Sequence, residues 1–389
     1  MITNIEPSKC CGCAACVNAC PQHCIVMRPN TEGFLYPEVD AKSCVKCGQC
    51  EKACFMIVKS KEEPFAEEYW AIRAHDMDIV KHSSSGGVFY LLASEVLAHD
   101  GVVFGAWYAE DGTVKHTMVE NLSDINLLCG SKYVQSDIGD CYRVIRQQLN
   151  QNKRVLFSGT PCQVSGLISF LGKHPRELLC VEVACHGVPS PLLLKKYVEY
   201  EGQKKKQTVS SVEFRNKVKG WRNYALALKL ANGKTYYESK RESIYLRIFL
   251  KDIALRESCY QCETKGTESR ADIILADFWG LTDTWSQFND NKGTSLAITR
   301  TKAGSEALEE IKLKCIYQQI TQQDAMKNNK SIRHSACRPP ERDGFYKDLV
   351  SVPFNKIVSK YAFSNLKERL ALIGWKLGVN EWVERMTRK

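Results

Sequence analysis

Ten of the 19 cysteines fall within the first 54 residues, and their spacing is the plainest chemical signal in the chain. Cys10, Cys13, Cys16 and Cys20 follow an x2-x2-x3 pattern that runs into Pro21, and Cys44, Cys47, Cys50 and Cys54 repeat it 34 positions on. This is the bacterial run for [4Fe–4S] clusters. Three thiolates on a tight loop hold three irons of one cube, and the fourth, at the start of a short helix, reaches the other cube. The expected ligand sets are Cys10, Cys13, Cys16 and Cys54 for one cluster, and Cys44, Cys47, Cys50 and Cys20 for the second. Gly12 and Gly48 let backbone N–H groups approach the sulfides. Zinc is the alternative, because four-cysteine zinc sites also use C-x2-C pairs, but interlocked triples are not zinc-ribbon spacing. Cys11 and Cys24 are spare thiols, read as packing residues rather than ligands.

A second group of cysteines lies far downstream. Cys259-x2-Cys262 sits in a polar stretch with Lys265-Gly266 behind it, where apolar packing is a poor explanation. Such a pair needs two more ligands to close a cluster, and Cys162 and Cys185 stand at strand ends where they could converge with it. A third [4Fe–4S] cluster on Cys162, Cys185, Cys259 and Cys262 is therefore expected. Gly159–Gln163 turns from a strand into a helix, so its N–H groups could hold a phosphate or activate the Cys162 thiol; a tight turn with a buried cysteine explains it equally well. Ser84–Gly87 likewise reads as a helix cap or a phosphate approach. Cys129, Cys141, Cys180, Cys315 and Cys337 read as packing residues. Lys204-Lys205-Lys206 reads as a solvated helix end.

These residues need elements to position them. Lys59–Glu68 is charged and contains Pro64, so it reads as a linker between residues 1–58 and a body over 69–350. In that body, strands are expected at Tyr69–Ala74, Val102–Trp107, Arg154–Ser158, Leu178–Ala184, Ile273–Phe278 and Ser295–Thr299. Helices are expected at Ser85–His99 and Asp137–Asn150. Ser210–Phe214, Tyr224–Leu230 and Lys234–Glu238 alternate in the manner of antiparallel strands, the last two joined across Asn232-Gly233. The fold class is an α+β ferredoxin-like domain followed by a mixed α/β domain and a C-terminal helical tail over 351–389.

Composition narrows the function. At 44% hydrophobic and 25% charged the chain is ordinary globular protein, and no stretch reaches the ~18 uncharged apolar residues of a spanning helix. A cysteine cluster stands where a signal peptide would have its apolar core, so the expected location is cytoplasmic, and in that setting dense cysteine means metal or redox chemistry rather than disulfides. The net charge of +10 belongs wholly to residues beyond 58, so that part meets anions. No nucleic-acid motif is present, and no nucleic-acid partner is expected. No GxGxxG fingerprint supports a nicotinamide site.

Taken together, the twin-cluster N-terminus, SSSGGV (Ser83–Val88), GSKYVQS (Gly130–Ser136), SGTPCQ (Ser158–Gln163), CHGVPSP (Cys185–Pro191), C-x2-C with ADIILADFWG (Ala271–Gly280) and NKGTS (Asn291–Ser295) resemble the coenzyme F420 hydrogenase/dehydrogenase beta-subunit family. The resemblance spans about residues 8–335. It implies FAD bound to the body, an iron–sulfur cluster beside it, and hydride exchange with coenzyme F420 or another small molecule. The flavin contacts it implies are Ser84, Ser85, Gly86, Gly87, Ser131, Lys132, Tyr133, Thr160, Lys292 and Thr294. His186 is the candidate acid/base residue, or it orients the loop of Cys185. The implied partner is an electron donor or acceptor protein, a ferredoxin or a redox subunit. Bacterial relatives of this layout are often associated with cell-surface polysaccharide synthesis. The rival readings are a non-catalytic electron carrier that has lost flavin, and a ferredoxin-linked flavin reductase of a glycan precursor.

Residues 351–389 fall outside the resemblance. Ile357, Tyr361, Leu366, Leu370, Ile373, Leu377 and Trp382 recur at roughly helical steps on a basic segment. A helix packed on the body is favoured over peripheral membrane contact, because Gly374 and Gly378 interrupt the amphipathic face.

Overall fold

The computed structural model describes residues 2, 5–58, 66–281 and 283–363. Most of the expected linker (59–65) and of the C-terminal tail (364–389) lies outside the described residues. Residues 354–362 are helical and bury Ile357, Tyr361 and Ala362 against the body.

The cysteine-rich segment is a two-stranded antiparallel hairpin, β1 (Ile25–Pro29) and β2 (Leu35–Val39), with two short helices, Ala15–Ala19 and Gln49–Lys52. The hairpin turns where Asn30 Oδ1 accepts the N–H of Glu32 at 3.1 Å and of Phe34 at 2.9 Å, an Asx-type turn. Each helix follows a cysteine loop through a left-handed residue, Ala14 (φ 60°) and Gly48 (φ 73°).

The body is built on β3 (Glu68–Ala74), β4 (Val102–Tyr108), β5 (Val114–Val119), β6 (Val155–Gly159), β7 (Leu178–Val183), β8 (Val209–Asn216), β9 (Ala225–Leu230), β10 (Thr235–Ser239), β11 (Ile273–Asp277), β12 (Ser295–Thr299) and β13 (Cys315–Ile320). Eight of these form one mixed sheet in the order β13-β3-β12-β11-β7-β6-β4-β5. Its centre, β11-β7-β6-β4, is parallel, and antiparallel strands flank it on both sides. Strands such as β6, with every residue buried, need cover on both faces. Helices Cys141–Asn150 and Pro161–Leu171 pack on one face and Val88–Ala98 and Lys302–Lys312 on the other. β10-β9-β8 form a separate antiparallel sheet, whose core takes in helices Pro191–Lys205, Ile244–Leu250 and Arg342–Ser351. No helix among the described residues is long and apolar enough to cross a membrane.

Every expected body strand is present to within about two residues. The expected helix at 85–99 begins only at Val88, because Ser83–Gly87 stays an open loop and Gly87 takes φ 88°. That at 137–150 begins at Cys141. Two packing assignments are corrected. Cys337 is exposed on an irregular segment, not packed. Of the lysines expected to be solvated, Lys204 and Lys206 are exposed, whereas the Lys205 amine is largely buried against Glu201 and Glu238.

Candidate iron–sulfur and flavin site

In an open α/β sheet, ligands gather beyond the carboxyl ends of the parallel strands, where successive loops diverge. Here β6 ends in Gly159–Cys162, β7 in Cys185–Gly187, β11 in Asp277–Gly280, and β12 starts at the same edge from Lys292–Thr294. The functional loops therefore share one edge.

Cys162 enters helix Pro161–Leu171, whose start is fixed by a capping box between Thr160 and Gln163. Cys185 lies just past β7, and Cys259 and Cys262 lie on and just after the 3₁₀ turn Glu257–Gln261. These four cysteines, separated by up to 100 positions, line a single cavity of about 40 Å³ together with Cys11 and Lys265. Burial pushes the Cys259 thiol up to about 12 and raises Cys185 further, so these sulfurs ionise only where a cation compensates them. Arg256 supplies part of that charge and offsets a little of the rise of both Cys162 and Cys259. Its Nη2 is buried with no hydrogen-bond partner among the described residues, a donor suited to a cluster sulfur. The donor set fits an iron–sulfur cube.

Cys20, Cys44, Cys47 and Cys50 line one cavity of about 290 Å³. Cys10, Cys13, Cys16 and Cys54 do not line it: Cys16 is in electrostatic reach of Cys10, Cys13 and Cys54, and Cys50 is in reach of both Cys16 and Cys54. Burial holds Cys16 at about 12, again a thiol that needs a metal to ionise. The two spare thiols lie beside the expected ligands, and Cys24 is also packed in the apolar core of the segment. Cys24 lines the cavity of the second set, its sulfur 3.4 Å from that of Cys20. Cys11 lines the body cavity with Cys162 and interacts electrostatically with Cys13. No pattern in the sequence marked either position, because each depends on which loop lies opposite.

The cysteine-rich segment is fastened to the body by buried cations. Arg256, wholly buried, donates from Nε to Cys10 O at 2.8 Å and from Nη1 to Leu35 O at 3.0 Å, with its guanidinium 4.0 Å over the Tyr36 ring. Arg342 grips the Glu32 carboxylate with both terminal nitrogens, at 2.9 and 2.7 Å. Arg143 donates to the carbonyls of Val17 and Asn18. Gly166 lets the Cys162 helix meet Cys13: a Cβ there would lie 2.9 Å from its sulfur. The first N-terminal cluster site and the body cavity are therefore neighbours, with Cys11 between them.

Two domain families match the chain. Residues 9–56 match the 4Fe-4S dicluster domain, and residues 152–323 match the family described as the C terminus of the coenzyme F420 hydrogenase/dehydrogenase beta subunit. No curated protein matches the chain significantly. Among solved structures, a chain of the F420-reducing [NiFe] hydrogenase complex from Methanosarcina barkeri, studied as a xenon derivative, is 16% identical; the match covers 77% of this chain and 90% of that one, with a TM-score of 0.46. The dicluster domain makes iron–sulfur electron transfer part of this protein's chemistry.

Nine of the ten residues that the family resemblance implies for flavin lie in three loops that meet. Ser84 Oγ accepts the Ser131 N–H at 2.7 Å, Ser85 Oγ donates to Thr294 O at 2.7 Å, and a Cβ on Gly293 would lie 2.7 Å from Ser85 O. Two amines in this region are already engaged. Lys132 Nζ binds the carbonyls of Leu127, Leu128 and Cys129, and burial lowers it to about 8. Lys217, which sequence reasoning missed, ties the carbonyls of Val80, Ser85 and Lys292 and is lowered to about 7 by burial. Beside these loops, Arg215 is held by Asp277 and sandwiched by Tyr224 and Trp279, and Arg73 by Asp290; the Nε of each is a buried donor without a partner among the described residues. Such donors suit an anionic cofactor. Thr160 stands apart: its hydroxyl lies 3.2 Å from the Cys162 sulfur and 3.1 Å from Gln163 Oε1. His186 follows Cys185, with Nε2 on the Asp252 carboxylate and its ring edge-on to Phe249.

Proposed function

We propose that the chain is a cytoplasmic iron–sulfur flavoprotein oxidoreductase, exchanging electrons between three [4Fe–4S] clusters and an FAD whose substrate is coenzyme F420 or another small hydride donor or acceptor. The observation that carries this reading is the convergence of Cys162, Cys185, Cys259 and Cys262 on one cavity, beside Cys11 and the Cys13 loop. A flavin, when bound, supplies the exchange between hydride chemistry and single electrons.

The protein's own part is positional. Cys10, Cys13, Cys16 and Cys54 hold the cluster nearest the body, Cys20, Cys44, Cys47 and Cys50 the outer one, and Cys162, Cys185, Cys259 and Cys262 the third. Arg256 places a fixed positive charge at the junction, which favours the reduced, more negative state of a neighbouring cluster. Ser84, Ser85, Gly86, Gly87, Ser131, Tyr133, Lys292 and Thr294 would hold FAD, with Lys217 and Lys132 setting their loops. Asp252 orients His186 and keeps its imidazole available as a proton-transfer group beside Cys185. The basic body suits the FAD pyrophosphate and an anionic second substrate. The outer cluster exchanges electrons with a redox partner protein. A glycan precursor of cell-surface polysaccharide synthesis is the alternative substrate.

Anaerobic addition of reduced coenzyme F420, NADH and reduced ferredoxin in turn tests the reading. Bleaching of both flavin bands and the iron–sulfur shoulder by at least one of them is expected. An iron–sulfur shoulder with no flavin bands would make the chain an electron carrier instead.

A further inference from the structure

The edge of the large sheet away from the cysteine cavity carries another group of metal-ligating side chains, which the redox reading leaves unused. His174 lies in the loop that enters β7, Cys180 is the third residue of β7, and Asp272 immediately precedes β11. A ring nitrogen of His174, the Cys180 sulfur and an Asp272 carboxylate oxygen all lie within 4.8 Å of one another. Cys180 precedes Cys185 by five residues of nearly extended chain, which separates the two by about 16 Å. The group is therefore independent of the cluster site.

Its geometry is that of a prepared ligand set. Asp272 is 1% exposed and fixed on both oxygens: Oδ1 accepts the Thr301 hydroxyl at 2.6 Å and Oδ2 the Cys180 N–H at 2.7 Å. Ligating carboxylates are held in this way by outer hydrogen bonds. His174 has Nδ1 3.3 Å from the Pro175 carbonyl and Nε2 3.1 Å from Asp272 Oδ2. With the ring proton on Nδ1, the Nε2 lone pair and the Asp272 carboxylate face one point where a metal ion can sit; with the proton on Nε2, the two make an ordinary hydrogen bond instead. A buried sulfur at the same point favours the metal, because nitrogen, thiolate and carboxylate together are the donor set of zinc.

We infer that His174, Cys180 and Asp272 bind one zinc-class divalent cation, with water in the fourth position on the partly exposed His174 side. The ion fastens the loop before β7 to the starts of β7 and β11. It carries no electrons, since zinc has no redox chemistry.

The test is zinc and iron analysis of the anaerobically purified full chain from zinc-replete cells, with zinc X-ray absorption on the same sample. One zinc per chain is expected beyond the irons, with one sulfur at about 2.3 Å and nitrogen and oxygen at about 2.0–2.2 Å. His174→Ala, at the exposed end of the trio, should lose the zinc and keep its iron. Only trace zinc in the unaltered protein would overturn the assignment and leave a hydrogen-bonded His174–Asp272 pair. So would zinc retained in both His174→Ala and Cys180→Ser. A shell of sulfur alone also refutes it, because the zinc would then occupy cluster positions; this readout holds even if a variant folds poorly.

Discussion

Arg256→Met removes the cation that clamps the dicluster domain to the body, and its effect can be worked from the contacts. The guanidinium makes two hydrogen bonds to backbone carbonyls, Cys10 O and Leu35 O, at 2.8 and 3.0 Å. Bonds from a charged donor contribute about 1.5–3 kcal/mol each, and the stacking on Tyr36 at 4.0 Å adds about 2 kcal/mol for a desolvated pair. Methionine keeps most of the volume and abolishes the desolvation cost of a buried charge, which offsets part of this sum. The expected net loss is about 3–5 kcal/mol in the docking of the two domains, enough to populate an undocked form. Lysine recovers less than half, because it cannot donate as a fork. Hydrogen exchange on the anaerobic holoprotein reads the effect at the Leu35, Tyr36 and Gly12 amides, with iron content as the control for intact clusters. Unchanged protection at those amides, with iron retained, would refute the clamp.

The other predictions address the clusters, the flavin loops and acid stability. Cys20→Ser combined with Cys24→Ser should abolish the cluster of Cys44, Cys47 and Cys50 and spare the one beside Cys13; both changes are needed because the two sulfurs lie 3.4 Å apart in one cavity. Electron paramagnetic resonance that showed loss of the nearer cluster alone would contradict the cross-ligation. Lys217→Met releases the carbonyls of Val80, Ser85 and Lys292 and should weaken FAD retention about tenfold, a difference of roughly 1.4 kcal/mol; flavin release measured by fluorescence checks it, and retention equal to the parent protein counts against the assignment of these loops. Burial holds His116 at about 4, against 6.5 in an exposed chain. The unfolded chain thus takes up a proton near pH 6.5 while the folded one waits until about pH 4, and stability present above pH 6.5 is lost as pH falls through that window. About 2 kcal/mol should disappear between pH 7 and 5. His116→Gln should flatten that part of the urea-midpoint profile, and an unchanged profile would locate the acid sensitivity elsewhere.

Local signals are legible in the sequence, and partners across the fold are not. The cysteine runs mark the dicluster domain, because cluster loops encode their geometry in spacing. The strands from Val102 to Thr299 show as β-branched and apolar runs. β5 and β13 escape because Lys115, His116, Gln318 and Gln319 interrupt their apolar pattern at an edge of the sheet. Arg256 looks like one charge among 54, and only the folded chain brings it to Cys10, 246 positions away. Cys11 has no place in the dicluster spacing, and its neighbour Cys162 comes from another domain. The same limit hides Lys217, whose acceptors lie on distant loops. The convergence of Cys162 and Cys185 with the C-x2-C pair is legible, because strand ends in a parallel sheet point to a common edge.

The central claim is that the body holds a cluster and a flavin of its own. Its most direct test is quantitation of iron, acid-labile sulfide and flavin in the anaerobically purified full chain, beside Cys259→Ser. The account predicts about twelve irons and twelve sulfides, from three four-iron cubes, with one FAD, and a drop to about eight irons in the variant. Eight irons in both proteins, with no flavin in either, would contradict it.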